Sequence, residues 1–201
     1  MPASLSNIEK QQLLELARQA LEAGVNREPL PSLELDQLSD HLQAEGASFV
    51  TLTCRGELRG CVGALEAYQP LAEDVRQHAV AAALQDYRFP PLQPDELNNI
   101  EIEISYLTVP QPVEYGSPAE LLEVLRPGID GVILRDGIRR ATFLPQVWEK
   151  IPDKAIFLSY LCEKMGAQPD LWLKKRLQVF VYSVEEFKES PRFQEATGLE
   201  V

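Results

Sequence analysis

Several kinds of residue that build functional sites are scarce in this chain. The two histidines, His41 and His78, stand alone rather than in the close spacings of a metal site. Cysteine occurs three times, at Cys54, Cys61 and Cys162, and never as a Cys-x-x-Cys pair. The sequence therefore predicts no metal site and no cofactor motif, and it favours free thiols over disulfides.

Long apolar runs are also missing. No run approaches the length that spans a membrane, and charged residues from Glu9 to Arg18 interrupt any signal-peptide core near the start. The formal net charge of −12 disfavours broad binding to nucleic acid or anionic lipid, while leaving room for a local basic patch. We therefore expect a cytoplasmic protein without a membrane partner. The sequence does not define its oligomeric state.

The order of predicted elements points to an α+β fold. The stretch Ile100–Tyr106 alternates three isoleucines with Glu101, Glu103 and Ser105, which predicts a strand with one buried face. Hairpins and helices are mixed rather than strictly alternating, so we expect a largely antiparallel sheet flanked by helices.

The 201 residues suffice for one substantial core with a small lobe. We predict a single domain over residues 5–189, followed by a loose tail over residues 190–201. The capping-box pattern Ser6-Asn7-Ile8-Glu9 and the helical spacing after it predict a first helix from about Ile8 to Ala23 that ends at Gly24. A short final helix is predicted from Val184 to Lys188.

The chain around Cys61 predicts a β-hairpin. An apolar strand, Phe49–Cys54, is followed by Arg55-Gly56, and Gly can supply the positive φ of a tight turn. With a two-residue turn, the predicted pairs are Cys54 with Glu57, Leu52 with Arg59, and Val50 with Cys61. Arg59 and Cys61 would then point to the same face, because strand side chains alternate.

That arrangement has a chemical consequence. A guanidinium near a thiol favours the thiolate, which is the nucleophilic form, so Arg59 would activate Cys61. Gly60 and Gly63 would let another backbone or a ligand approach closely. The alternative is that Cys61 is a small buried hydrophobic residue.

Three further polar residues have two interpretations each. Asp86 and Arg88 precede Pro90-Pro91, where they could form an ion pair that orders the turn or could line a cleft. Glu103 lies on the polar face of its strand, which is usually solvated. If that face borders Cys61, Glu103 becomes a candidate acid or base.

Five stretches stand out along the chain, namely Leu58-Arg59-Gly60-Cys61-Val62-Gly63, Asp86-Tyr87-Arg88-Phe89, Ile102-Glu103-Ile104-Ser105-Tyr106-Leu107, Gly128-Ile129-Asp130-Gly131-Val132 and Thr142-Phe143-Leu144-Pro145-Gln146-Val147. Taken together, they resemble the AMMECR domain family, also known as AmmeMemoRadiSam system protein A. They occur in the family's order and the resemblance covers about Leu5 to Glu189. Small departures are Val62, where isoleucine is common, and Ala64, where threonine is common.

The resemblance implies an α+β fold with an antiparallel sheet flanked by helices, a smaller lobe and a cleft. It also implies that the protein acts together with Memo-like proteins and radical S-adenosylmethionine proteins. It does not imply any particular reaction. A role in RNA modification has been suggested for the family, but the acidic charge does not support broad RNA binding. The family's motif positions, which we expect to border the cleft, fall on Arg59, Gly60, Cys61, Gly63, Asp86, Arg88, Glu103 and Gln146.

Two functions remain open at this point. The first is an accessory or binding protein that docks with those companions through the Leu58–Gly63 motif, which fits the missing triad and metal motif. The second is a thiol-dependent enzyme in which Cys61 is the nucleophile, Arg59 lowers its pKa and Glu103 or a histidine handles protons. The sequence favours the accessory protein slightly.

Overall fold

The computed structural model describes residues 4–190, and these form two compact units. The first unit contains residues 4–106 and 185–190, and the second contains residues 107–184. The predicted tail, residues 190–201, lies outside the described residues except for Ser190. The sequence predicts these units as one domain with a smaller lobe.

The helices and strands have the following bounds. The helices are α1 (Asn7–Asn26), α2 (Asp40–Gln43), α3 (Leu71–Leu84), α4 (Pro118–Val124), α5 (Lys154–Lys164) and α6 (Leu171–Lys174). The strands are β1 (Glu45–Cys54), β2 (Glu57–Gly63), β3 (Gln69–Pro70), β4 (Ile100–Leu107), β5 (Gln111–Pro112), β6 (Gly131–Asp136), β7 (Arg139–Phe143), β8 (Gln178–Tyr182) and β9 (Val184–Lys188). Short 3-10 helices lie at Leu35–Gln37, Pro94–Asn99 and Pro145–Glu149.

Helix α1 begins at a capping box, as its sequence predicts. The Glu9 amide donates to the Ser6 hydroxyl at 3.2 Å, and the Ser6 amide donates to the Glu9 carboxylate at 2.8 Å. The predicted end at Gly24 is wrong, because the helix continues to a left-handed Arg27 with φ 59°. A Cβ on Gly24 would lie 3.0 Å from Val80 Cγ1, so this glycine serves close packing of α1 on α3.

The first unit has a sheet with the strand order β2-β1-β4-β9, and β3 pairs with the start of β1. The pairings of β1 with β2 and with β3 are antiparallel. Helices α1 and α3 cover one face. The core between them holds Leu13, Ala17, Leu21, Val50, Leu52, Val75, Ala79, Ile100, Ile102 and Ile104. The predicted alternation of β4 is confirmed, since Glu101, Glu103 and Ser105 are partly exposed on the opposite face.

The prediction of a final helix is wrong, because residues Val184–Lys188 form strand β9. Beside β9, the Glu189 amide donates to the Ile102 carbonyl at 3.0 Å. Without β9, the outer edge of β4 would expose a row of unpaired peptide groups. Pairing with a neighbouring strand therefore overrides the local helical preference of this segment.

The second unit has its own antiparallel sheet, with the strand order β5-β8-β6-β7. Its core is centred on Trp148 and Phe157, whose rings stack with centroids 3.6 Å apart. The Trp148 indole donates to the Asp130 carbonyl at 2.7 Å, which satisfies its one buried polar atom. The predicted α+β class with antiparallel sheets is confirmed by the two units together.

Over residues 4–190, no helix is long and apolar enough to cross a membrane.

Candidate functional site

The hairpin around Cys61 forms, but its predicted register holds only near the turn. Cys54 pairs with Glu57, as expected. Beyond Thr53 a β-bulge shifts the pairing, so that Cys61 lies opposite Thr51 rather than Val50. Arg59 is the extra residue of the bulge, because Thr53 pairs with Leu58 and Leu52 pairs with Gly60. Simple alternation therefore does not place Arg59 and Cys61 side by side.

Both glycines of the motif have a packing reason. A Cβ on Gly60 would lie 2.1 Å from the carbonyl oxygen of Ala82 in α3. A Cβ on Gly63 would lie 2.4 Å from the Ser48 carbonyl oxygen and from the Phe49 ring. The expected close approach of another backbone is confirmed, and that backbone belongs to this chain. Since Gly60 faces α3, Cys61 points to the opposite, partly exposed face of the sheet.

Asp86 and Arg88 hold the Cys61 peptide from both sides. The Cys61 amide donates to Asp86 Oδ2 at 2.9 Å, and Arg88 Nη2 donates to the Cys61 carbonyl at 3.2 Å. Strand β2 is the edge strand of its sheet, and the amide and the carbonyl of Cys61 both point away from β1. The pair therefore satisfies peptide groups that an open edge would leave to solvent or to another chain.

The same two residues form a tight ion pair of their own. Arg88 donates to both Asp86 carboxylate oxygens, from Nε at 2.9 Å and from Nη2 at 2.6 Å. The Arg88 amide adds a third bond to Asp86 at 3.1 Å. This bonding by Arg88, together with the Cys61 amide, holds the pKa of Asp86 far below its usual range. The hydrogen bond and charge of Asp86 raise the pKa of Arg88 in turn. The structural ion pair is thus the interpretation that the geometry supports.

Between them, Tyr87 is exposed almost completely, at 96%. The Phe89 amide donates to the Asp86 carbonyl at 3.1 Å, which closes the turn over residues 86–89. The turn is fixed by its flanking residues while the tyrosine ring buries almost nothing. Tyr87 lies within one of the family's stretches, but the sequence alone does not predict its exposure, which depends on the turn geometry.

The Cys61 thiol has a hydroxyl partner. Thr51 Oγ1 donates to Cys61 Sγ at 3.3 Å, and both residues are partly exposed. Cys54 is also partly exposed, whereas Cys162 is buried, and its burial raises the pKa of its thiol. All three cysteines are free thiols.

The histidines are engaged away from Cys61. His41 lies 3.3 Å from the Tyr106 hydroxyl and 3.7 Å from a Glu9 carboxylate oxygen. His78 is buried and lies 3.1 Å from Asp74 Oδ2 in the same helix. Each histidine is thus held by partners within the packing of the first unit.

The Arg59 side chain binds the carboxylate of Glu96 rather than the thiol of Cys61. Its guanidinium donates to both Glu96 oxygens, at 2.8 and 3.0 Å, and to the Pro90 carbonyl at 2.9 Å. Arg59 lowers the pKa of Glu96 through these bonds. Arg59 therefore anchors the segment around residues 90–96 to β2. Arg88 is the cation that bonds to the Cys61 peptide.

The remaining predicted residues, Glu103 and Gln146, belong to different units. Glu103 is on the same face of the sheet, but strand β1 separates β4 from β2, which is a span of about 10 Å in the hydrogen-bonding direction. Gln146 belongs to the second unit, in the 3-10 helix Pro145–Glu149. The structure thus gathers Cys61, Gly60, Asp86 and Arg88 closely. Among the described residues, no group of three or more His, Cys, Asp or Glu is placed to hold a metal ion.

Comparisons with other proteins find similarity along both units. The family model of AMMECR1 matches residues 14–187. A protein of Methanothermobacter thermautotrophicus is 37% identical over 195 residues, which are 93% of this chain and 97% of the relative. A protein of Sulfolobus acidocaldarius is 40% identical over 175 residues, which are 84% of this chain and 76% of the relative. The crystal structure of the uncharacterized protein PH0010 from Pyrococcus horikoshii has a TM-score of 0.68 at 34% identity, and the match covers 90% of this chain and 91% of that one.

Proposed function

The chain belongs to the AMMECR1 family, and from that premise we propose that it is an accessory binding protein. It acts with Memo-like and radical S-adenosylmethionine proteins. The docking surface is the strand Leu58–Gly63 together with the turn over residues 86–89. Cys61 is a part of that surface and is not a nucleophile.

One observation carries this proposal, namely a fully exposed tyrosine on a fixed turn. Tyr87 contributes almost no burial to folding, yet the residues on either side are tied to β2 by hydrogen bonds and to each other by an ion pair. Tyr and Arg are enriched among the residues that dominate binding energy at protein interfaces. A side chain presented from a fixed backbone loses less entropy on binding than one on a mobile loop.

The surroundings of the thiol support binding over catalysis. Thr51 is its hydrogen-bond partner, and both histidines are held by other groups. An adjacent base is one common means of activating a nucleophilic cysteine, and neither Thr51 nor the two histidines serve Cys61 in that way. The three free thiols fit a reducing compartment, so the proposed place of action is the cytoplasm.

Replacing Tyr87 by alanine is expected to weaken binding to the companion proteins by at least tenfold, which is about 1.4 kcal/mol. The free energy of unfolding is expected to change by less than about 0.5 kcal/mol, because the ring is exposed. The loss of binding is measured by copurifying this chain with the Memo-like and radical S-adenosylmethionine proteins. Tyr160→Ala is the control, since Tyr160 is half exposed on α5 in the second unit.

The proposal fails if neither companion copurifies with the wild-type chain, alone or together. It also fails if Tyr87→Ala and Tyr160→Ala bind equally well. A folded Cys61→Ala variant is expected to keep binding, because the surface is held through the backbone of Cys61 rather than through its thiol.

A second function, the thiol-dependent enzyme, has one observation in its favour. The hydroxyl of Thr51 donates to Cys61 Sγ, and the Arg88 guanidinium lies at the Cys61 carbonyl, so two groups that stabilise negative charge are close by. In this alternative Arg59 and Glu103 would assist from farther away. A Cys61→Ala variant that still binds its companions but stops a reaction that they carry out with the wild type would favour the enzyme.

A further inference from the structure

The hairpin of β6 and β7 ends in an apolar tip. Its two-residue turn is Gly137-Ile138, and Gly137 has the positive φ of 62° that the turn requires. Ile138 has a relative exposure of 101%, so the whole side chain faces solvent. A β-branched aliphatic residue at this place contributes nothing to the core and is an unfavourable turn residue. Folding alone does not explain it.

Basic side chains gather around this tip from two separate parts of the sequence. Arg139 follows the turn directly, and Arg135 pairs with Gln178 at the start of β8. The register therefore brings the segment Lys174–Arg176, which precedes β8, to the same end of the sheet. A hydrogen bond of 2.6 Å from Lys175 Nζ to Asp136 Oδ1 fixes this contact.

Among the basic residues at this end of the sheet, Asp136 is the central acidic residue, and two cations bind it. Asp136 is bound by both Lys175 and Arg139, and these two cations hold its pKa below its usual range. Lys174 pairs with Asp170 and is largely exposed, and Leu173 beside it is 54% exposed. Arg176 is in turn bound to Glu114 at 2.9 Å. Around the exposed Ile138 the basic residues still exceed the acidic ones, since five of them (Arg135, Arg139, Lys174, Lys175 and Arg176) face three carboxylates (Asp136, Asp170 and Glu114).

From this arrangement we propose that the Ile138 hairpin tip docks on an anionic lipid surface. The tip is a two-residue turn with a fully exposed isoleucine, and basic residues of β6, β7 and the segment before β8 lie at the same end of the sheet. A headgroup layer conforms to such a shape, and it attracts basic residues near the surface. A protein partner would instead need a matching acidic pocket.

The net charge of the chain does not prevent this contact. Residues 107–184 hold ten basic and nine acidic side chains, whereas the rest of the chain holds nine basic and 22 acidic ones. The negative excess thus belongs to the first unit. Since charges farther apart than about 8–10 Å are screened at physiological salt, a local patch interacts largely on its own account. This proposal therefore departs from the expectation of no membrane partner, and it involves no spanning segment.

The test uses vesicles and needs no companion protein, so its result is independent of the proposed function. The chain is sedimented with vesicles of phosphatidylcholine alone and with vesicles that contain one third phosphatidylglycerol. Expected are binding to the anionic vesicles only, loss of that binding at high salt, and at least a fivefold loss in Ile138→Asp. Ile156→Asp is the matched control, because Ile156 is half exposed on α5, outside the basic cluster, and should bind as the wild type does.

Three results overturn the proposal. The first is equal sedimentation with both kinds of vesicle or with neither. The second is unchanged binding by Ile138→Asp. The third is retention on immobilised polyglutamate without vesicle binding, which would assign the tip to an acidic protein partner instead.

Discussion

Replacing Gly60 by alanine is expected to destabilise the protein by about 3 kcal/mol. The new Cβ would lie 2.1 Å from the carbonyl oxygen of Ala82, which is far inside van der Waals contact. Both sides of this clash are backbone, so no side chain can rotate away to relieve it. Either β2 or the last turn of α3 has to move, and Asp86 and Arg88, which bond to Cys61 of β2, follow shortly after that helix.

Urea unfolding of the variant measures this effect. Gly116→Ala is the control, since its Cβ would meet only the flexible Glu120 carboxylate at 3.3 Å. We expect that control to stay within about 0.5 kcal/mol of the wild type. A Gly60→Ala protein as stable as the Gly116→Ala protein would contradict the packing of β2 on α3.

The second large effect is expected for Asp86→Asn, which should lower the free energy of unfolding by about 2 kcal/mol. The carboxylate accepts hydrogen bonds from the Cys61 amide and from Nε and Nη2 of Arg88, and Asp86 is 7% exposed. An amide keeps the shape but loses the charge and one acceptor. We do not expect a larger loss, because the Arg88 side chain is partly exposed and water screens the pair.

Asp170→Asn is the matched control for this substitution. Asp170 also pairs with a cation, Lys174, but both side chains are well exposed. The control is therefore expected to change stability by less than about 0.5 kcal/mol. An equal decrease in the free energy of unfolding in both variants would contradict the stabilising role of Asp86 in the turn.

The pH dependence of the Asp86→Asn effect follows from the lowered pKa of Asp86. Its folded-state pKa lies below the value of about 3.9 that an unfolded aspartate has, so the ionised form stabilises the fold. The stability difference between wild type and Asp86→Asn should be constant above about pH 5 and shrink below about pH 4. It vanishes once the pH falls below the folded pKa. Unfolding curves at successive pH values measure this, and a difference that grows on acidification would contradict the ion pair.

The sequence predicts well where local patterns determine structure. The alternation around Ile102 gives β4 with its buried face, and the capping box of Ser6 and Glu9 gives the start of α1. The turn at Arg55-Gly56 gives a hairpin with the right pairing at Cys54. In each case the determining residues are neighbours in the chain.

Tertiary contacts account for the failures. The bulge at Arg59 adjoins Gly60, which packs on the carbonyl of Ala82, a contact that the pattern of the hairpin itself does not reveal. Strand β9 exists because β4 offers an edge, which residues 184–188 do not reveal. The bonding of Asp86 and Arg88 to Cys61 joins positions 25 and 27 residues apart, so no short pattern encodes it. The resemblance to the family named these residues together without giving their geometry.

Hydrogen–deuterium exchange locates the proposed docking surface around Tyr87 most directly. The chain is labelled alone and when saturated with the purified companion proteins. We predict protection on binding for the peptides that cover residues 58–63 and 86–89, and unchanged exchange for the α5 peptides around Tyr160. Binding without protection of the Tyr87 turn would contradict the account.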